Sequence, residues 1–362
     1  MTAPLDPGLS PGPAPAHRPA PPRPWHARLG AALPLRYVLR RLAGTAGLLA
    51  VLSAAVFALL RVAPGDPART LLGTRSATPQ ALAAVRAEHH LDDPAVEQYG
   101  RWLGDALHGR LGTSIRTGQD VTAVLGDRLA LSAQLVLLGF AVAVALGLPL
   151  GVLAGLRARR PADRAVQSLA VVTLSTPAFA GGLLLIYVFS LILGWLPAYG
   201  PGSGGAGDRL LHLVLPATAL GLSVTAVLVK LTRAAVVREL AREHVVFALA
   251  RGVPARKVLT RYVLRGTVVP VSTGVGLVLA YLLAGTVMVE QVFALPGLGQ
   301  LLVGSVTFKD VPVVQAEALL IAALVCLANL TTDLVHPLAD PRLRTAHGGA
   351  ATATADRTEG QA

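Results

Sequence analysis

Six stretches of this sequence run on with almost no charge: 42–60, 129–156, 165–193, 210–229, 266–289 and 311–334. About 20 mostly apolar residues, wound as a helix, cross the hydrocarbon core of a bilayer. Inside lipid every backbone N–H and C=O must find its partner within the protein. Six such segments therefore leave helices as the spanning element. The sixth is the least clean, because Gln315, Glu317 and Asp333 interrupt it. Only 14% of residues are charged, against about 25% in an ordinary soluble chain. The expected fold class is an all-α polytopic membrane protein with six transmembrane helices.

A net charge of +12 raises the question of nucleic acid, but its distribution answers otherwise. With the N-terminus inside, 22 of the 32 Lys and Arg residues fall on inner segments. Most of the rest lie in one long outer segment, where the positive-inside rule has little force. Both termini are therefore expected to be cytoplasmic and the protein multi-pass in the cell membrane. Residues 1–34 are rich in proline and alanine and predict a disordered leader. Segment 35–61 carries the first span, 62–128 an extracytoplasmic segment, 129–338 the remaining five spans, and 339–362 a cytoplasmic tail. A cleaved signal peptide built from the first span is the alternative there.

The outer segment predicts helices of its own. Thr78-Pro79 and Asp93-Pro94 each cap and open one. In the second, Val96, Tyr99, Trp102, Leu103, Ala106 and Leu107 recur at helical spacing, an apolar face expected to pack on the membrane domain. His89 and His90 are adjacent and would diverge on a helix, so no metal site is read there. The lone Cys326 excludes an intrachain disulfide and reads as a small buried hydrophobe.

The inner segment 230–265 holds nine basic residues around a Gly252-Val253-Pro254 break. A DNA-reading helix-turn-helix needs a third helix and a core, which 36 tethered residues do not supply. If Pro254 opens a helix, Arg256, Lys257, Arg261 and Arg265 share one arc. Val258, Leu259, Tyr262 and Val263 share the opposite one. Gly252 supplies a left-handed or flexible joint. Two short helices meeting there make a knob suited to docking.

The segment resembles the cytoplasmic coupling loop of ABC importer permeases of the dipeptide/oligopeptide/nickel family. Glu243, Val245, Ala248, Ala250, Gly252 and Pro270 occupy the family's positions, with departures at His244, Val246 and Leu249. "APGDPA", "LDDPAVEQYGRWL", "GRLGTS", "LSTPAF", "VEQVFALPGLGQLL" and "NLTTDLVHPLADPRLR" extend the resemblance from about residue 35 to 344. It implies a type I permease fold and an ATPase-coupling loop formed by Glu243, Val245, Ala248, Ala250, Gly252 and Arg256. It also implies a second permease subunit forming a heterodimer, cytoplasmic ATP-binding subunits, an extracytoplasmic solute-binding protein, and short peptides or a small solute such as nickel as cargo.

Among single residues, Asp66 reads as a turn residue. Glu290 either anchors the turn at Pro296-Gly297 or lines the outer mouth of a path. Pro177 either kinks the third span or shapes that path. The sequence contains no "GK" dipeptide, hence no Walker A loop. No cofactor, metal or nucleic acid is expected, and the chain is expected to be a transport subunit without its own ATPase site. The rival is an ion-coupled secondary transporter, for which Glu317 near an outer span end is the one candidate.

Overall fold

A computed structural model describes residues 35–62, 72, 78–88 and 92–339. The leader, the Asp66 turn, His89, His90 and the tail beyond 339 lie outside these residues. Elsewhere the chain forms helices: α1 (Leu35–Val62), α2 (Pro79–Glu88), α3 (Ala95–Leu107), α4 (Val121–Leu156), α5 (Pro161–Ser175) and α6 (Ala178–Ile192) come first. They are followed by α7 (Ala206–Leu240), α8 (Glu243–Ala250), α9 (Ala255–Val292), α10 (Leu298–Thr307) and α11 (Val311–Ala339). Among the described residues there is no strand, only an isolated bridge between Thr113 and Asp120. Five helices are long and apolar enough to cross a membrane, and the α5–α6 pair makes a sixth span if it is counted as one.

That pair corrects the expectation of one continuous third span, because α5 and α6 meet at 103°. The cause is local. Proline disfavours the helical region for the residue before it, and Thr176 leaves the helix at φ −94, ψ 115. Pro177 then caps α6, whose backbone resumes with Gly181 N–H donating to the Pro177 carbonyl (3.0 Å).

Other helices outrun their apolar windows. Helix α7 continues through Lys230 and Arg238 to Leu240, and α9 begins at Ala255, well before Gly266. Hydropathy marks only the part that lies in lipid, whereas a helix goes on as long as its backbone bonds do. At the other end Asp120 caps α4 by accepting from Ala123 N–H (3.1 Å), so this span begins before Arg128. Helix α10 follows directly on the Pro296-Gly297 turn that the sequence predicts there.

Packing centres on α7, with 67% of its apolar window buried against 6% for the peripheral α1. Helices α4 and α7 run in close contact because Gly139, Gly147, Gly151 and Gly155 present no side chain to α7. A Cβ on Gly147 would stand 2.7 Å from Leu228 Cβ, and one on Gly155 would stand 2.6 Å from Val236 Cγ1. At the α8 end of the bundle, α1 is tied to α11: Tyr37 Oη donates to the Asp333 carbonyl (2.9 Å) and Arg41 pairs with the Asp333 carboxylate (2.9 Å). At the opposite end Asp310 holds the 113–117 loop, accepting from Ser114 Oγ (2.5 Å) and Ile115 N–H (3.1 Å).

Helix α2 starts at Pro79 as expected, with Thr78 Oγ1 capping it at Ala81 N–H (3.2 Å), whereas α3 starts one residue later than expected, at Ala95, with Pro94 itself at the cap position. Helix α3 leans on the end of α1, where Tyr99 and Trp102 meet Phe57 at ring separations of 5.5 and 6.0 Å. Trp102 is half-buried, so Trp102→Ala should cost about half of the ~3–5 kcal/mol lost on truncating a fully buried Trp. The expected sign is faster proteolysis confined to the α3 region, with the spans unaffected. Loss of the whole protein would mean that α3 is integral to the bundle.

Candidate functional site

The coupling-loop candidates occupy one corner of the fold. Helix α7 ends at Leu240, α8 turns across the bundle, and α9 starts after Pro254, which caps it. One face of α8 is sealed. Val245 and Ala248 sink into an apolar cluster with Val236 of α7 and Val258 and Val263 of α9. Leu240, Val253, Leu259 and Tyr262 close its margin. The amphipathic arc expected after Pro254 is thus present, and a π-turn over Leu259–Val263 swings Val263 inward.

The opposite face of α8 is apolar and open. Val246, Phe247 and Leu249 are 53%, 61% and 47% exposed, and the Arg251 guanidinium covers the Phe247 ring at 4.6 Å. Of the sequence candidates, Glu243, Ala250, Gly252 and Arg256 are exposed on this corner. Val245 and Ala248 are its underside and fasten α8 to the bundle. Phe247 and its exposed neighbours carry no signal in the sequence, where Val246 and Leu249 stand only as departures from the family pattern.

Gly252 has φ +77. Its N–H donates to Leu249 O (2.9 Å), and Val253 N–H reaches back to Ala248 O (3.1 Å). This is a Schellman closure, with Val253 supplying the accompanying apolar contact. Glu239, also missed, stands at the joint with its side chain 5% exposed. Arg242 Nε lies 3.0 Å and His244 Nε2 3.3 Å from its carboxylate. A Cβ on Gly266 would overlap that carboxylate, so α9 can pass Glu239 only with glycine at 266. Beside this corner Asp163 of α5 takes both Arg233 Nε (2.6 Å) and Arg233 Nη2 (2.7 Å) of α7, and Arg159 N–H as well (2.8 Å).

At the far end Glu290, Pro296 and Gly297 come together, while Pro177 sits on a separate element at the α5–α6 bend. The Glu290 side chain is fully buried. Its Oε1 accepts from Ser132 Oγ of α4 (2.6 Å) and its Oε2 from Gln300 N–H (3.1 Å). Ser132 Oγ in turn accepts from Leu298 N–H (2.8 Å). A Cβ on Gly297 would overlap the Glu290 carboxylate. The carboxylate thus organises the turn from α9 into α10. Glu317 of α11 is also fully enclosed, with neither carboxylate oxygen hydrogen-bonded. No group of three or more His, Cys, Asp or Glu suited to a metal occurs among the described residues.

A family model described as a binding-protein-dependent transport system inner membrane component matches residues 147–345, and its N-terminal counterpart matches 34–136. Over 310 residues the chain is 36% identical to a probable peptide ABC transporter permease protein, y4tP, of Sinorhizobium fredii, covering 85% of this chain and 99% of that one. It is 37% identical to the glutathione transport system permease protein GsiC of Escherichia coli K12, covering 86% and 99%. Among solved structures, the MetNI methionine ABC transporter in an inward-facing conformation matches with a TM-score of 0.51 at 17% identity. That match covers 60% of this chain and 96% of the other, and it carries the fold alone.

Proposed function

The chain belongs to the binding-protein-dependent transport system inner membrane components, the permeases of ABC importers, and from that premise we propose that it admits short peptides under the drive of a separate ATPase seated on α8. The observation that carries this reading is the two-sided character of α8. Its inner residues lock it to α7 and α9, and its outer face offers Val246, Phe247 and Leu249 at the bundle end where basic residues gather. An exposed apolar triplet on a rigidly held helix is suited to a partner's groove.

Peptide cargo is supported by relatives named for peptide and glutathione transport, glutathione being itself a small peptide. In this reading a second, non-identical permease completes the path. A solute-binding protein delivers cargo at the end where α10 lies, and both chain termini share the α8 side. ATP binding would favour one of two span arrangements through α8. Glu290, Pro296 and Gly297 would set the outer end of the path, and Pro177 its bend.

The test is Phe247→Asp in cells carrying the whole transporter. The permease should remain in the membrane at normal level, because Phe247 is mostly exposed and lies outside the cluster that holds α8 down. Co-purification of the ATPase should fall about 30-fold or more, as for loss of an interfacial anchor worth about 2 kcal/mol, and ATP-driven dipeptide uptake should fall with it. Arg256→Glu should do much less, since a solvated charge contributes little. Full ATP-driven uptake by Phe247→Asp would refute the docking role of α8. Uptake that follows a proton gradient without any ATPase would put an ion-coupled transporter in its place.

A further inference from the structure

The apolar arc of α3 is only partly used within the chain. Its middle rests on α1: Tyr99 and Trp102 stack against Phe57, and Tyr99 Oη is 2.7 Å from the enclosed Ser53 Oγ. Its two ends are bare. Val96 is 80% and Leu107 79% exposed, the highest values among the described large hydrophobic residues. They stand one at each end of a 13-residue helix, so bare apolar surface flanks the packed middle on both sides.

We propose that α3 is an interfacial helix lying on the bilayer at the end of the bundle away from α8, with Val96 and Leu107 sunk at the boundary between headgroups and acyl chains. Three observations select lipid as the occupant. First, α3 is anchored at the end of a span whose own surface is bare and apolar: Val51 and Leu59 of α1 are 67% and 73% exposed, so the bare arc continues an apolar surface of the kind a bilayer covers. Second, the aromatic pair at the junction, Tyr99 and Trp102, is of the type that sits at headgroup level. Third, the polar arc carries Glu97, Arg101 and Asp105 in succession. Arg101 is paired with Asp93, and Arg110 with Asp105 (3.1 Å). With its basic groups neutralised, the helix has no cationic stripe for anionic headgroups or a polyanion. Its attachment is therefore apolar insertion.

The interfacial position makes α3 a depth gauge for α1, the least enclosed span, because two anchors fix where α1 enters the bilayer. One is the Asp333 tie at the α8 end and the other is α3.

The test places single cysteines at 96, 97, 105 and 107 of the full chain in a Cys326→Ala background. Each is spin-labelled and reconstituted in phosphatidylcholine nanodiscs. Collision with oxygen, which concentrates in lipid, is compared with collision with a water-soluble nickel chelate. Labels at 96 and 107 should favour oxygen over nickel severalfold more than labels at 97 and 105. Adding anionic lipid should leave the values unchanged. Nickel access at 96 and 107 equal to that at 97 and 105 would overturn the proposal, because the face would be in water. Shielding of 96 and 107 from both reagents would overturn it in favour of a protein cover. Oxygen preference that appears only with anionic lipid would overturn its apolar basis.

Discussion

Gly151→Val is expected to leave little or no folded permease. A Cβ at 151 would stand 2.6 Å from Thr232 Cβ and 2.9 Å from the Val229 carbonyl oxygen. A side chain can turn away, but a carbonyl inside a helix cannot, so α4 and α7 would have to separate. Gly147 and Gly155 seat the same pair of helices one turn to either side, so separation at 151 loosens the whole seam. Overpacking a core by a methylene or two costs about 1–3 kcal/mol. Prying apart the central pair should exceed that, in a fold whose total stability is on the order of 5–15 kcal/mol. The chain carries its own reporter: Cys326 is its single cysteine and is buried, so a thiol-reactive dye lights up only on unfolding. Gly151→Val should label at once or fail to accumulate. Gly126→Ala, on the same helix but facing open space, should melt no earlier than the parent protein. Equal melting of Gly151→Val and Gly126→Ala would show that the α4–α7 contact is not the organising one.

Gly252→Val should separate folding from transport. At φ +77 a β-branched residue is strained by about 1–3 kcal/mol, although a Cβ there meets nothing within 4 Å. The strain falls on the Schellman closure of α8 and not on the spans, so the protein should reach the membrane at normal abundance. Relieving it means unwinding the end of α8 and releasing Val253 from the cluster that holds the helix down. Each ~1.4 kcal/mol of strain lowers the population of the docking-competent loop about tenfold. ATP-driven uptake should therefore drop at least several-fold for valine. The drop should be smaller for alanine and smallest for asparagine, which tolerates the left-handed region. An order of effect that followed side-chain volume alone, with asparagine as harmful as valine, would point to a steric contact with a partner in place of backbone strain.

How much was legible in the sequence follows from what each signal measures. Uncharged runs gave the spans, because lipid demands apolar residues over a fixed length. They could not give the extensions of α7 and α9, since Lys230 and Arg238 leave lipid without leaving the helix. The 103° bend was half legible: Pro177 marked the place, but a proline alone does not say whether a helix kinks or breaks. That depended on Thr176 adopting an extended backbone. Gly252 and the amphipathic arc after Pro254 were readable because local backbone and period 3.6 are sequence properties. The sidedness of α8 was not. Over eight residues, Val245 and Ala248 look no different from Val246 and Leu249 until α7 and α9 supply the surface that two of them fill. Ser132 and Asp310 are illegible for the same reason, their partners being 158 and about 195 residues away; Glu239 pairs locally with Arg242 and His244, and only its burial against Gly266 depends on the fold.

Helix α9 runs without a loop from Ala255 to Val292, 38 residues and thus about 57 Å, with one rung of its hydrogen-bond ladder missing at Pro270. Its foot is clasped by α8 and its head carries Glu290 and the turn into α10. A column of that length is a lever. Tilted about 5° at the foot, it carries its head sideways by about 5 Å, roughly the pitch of one helical turn. No loop interrupts it to absorb the motion. The π-turn at Leu259–Val263, one wide coil just above the foot, and Pro270, where a backbone donor is missing, are its compliant points, and the run beyond Pro270 swings as the arm.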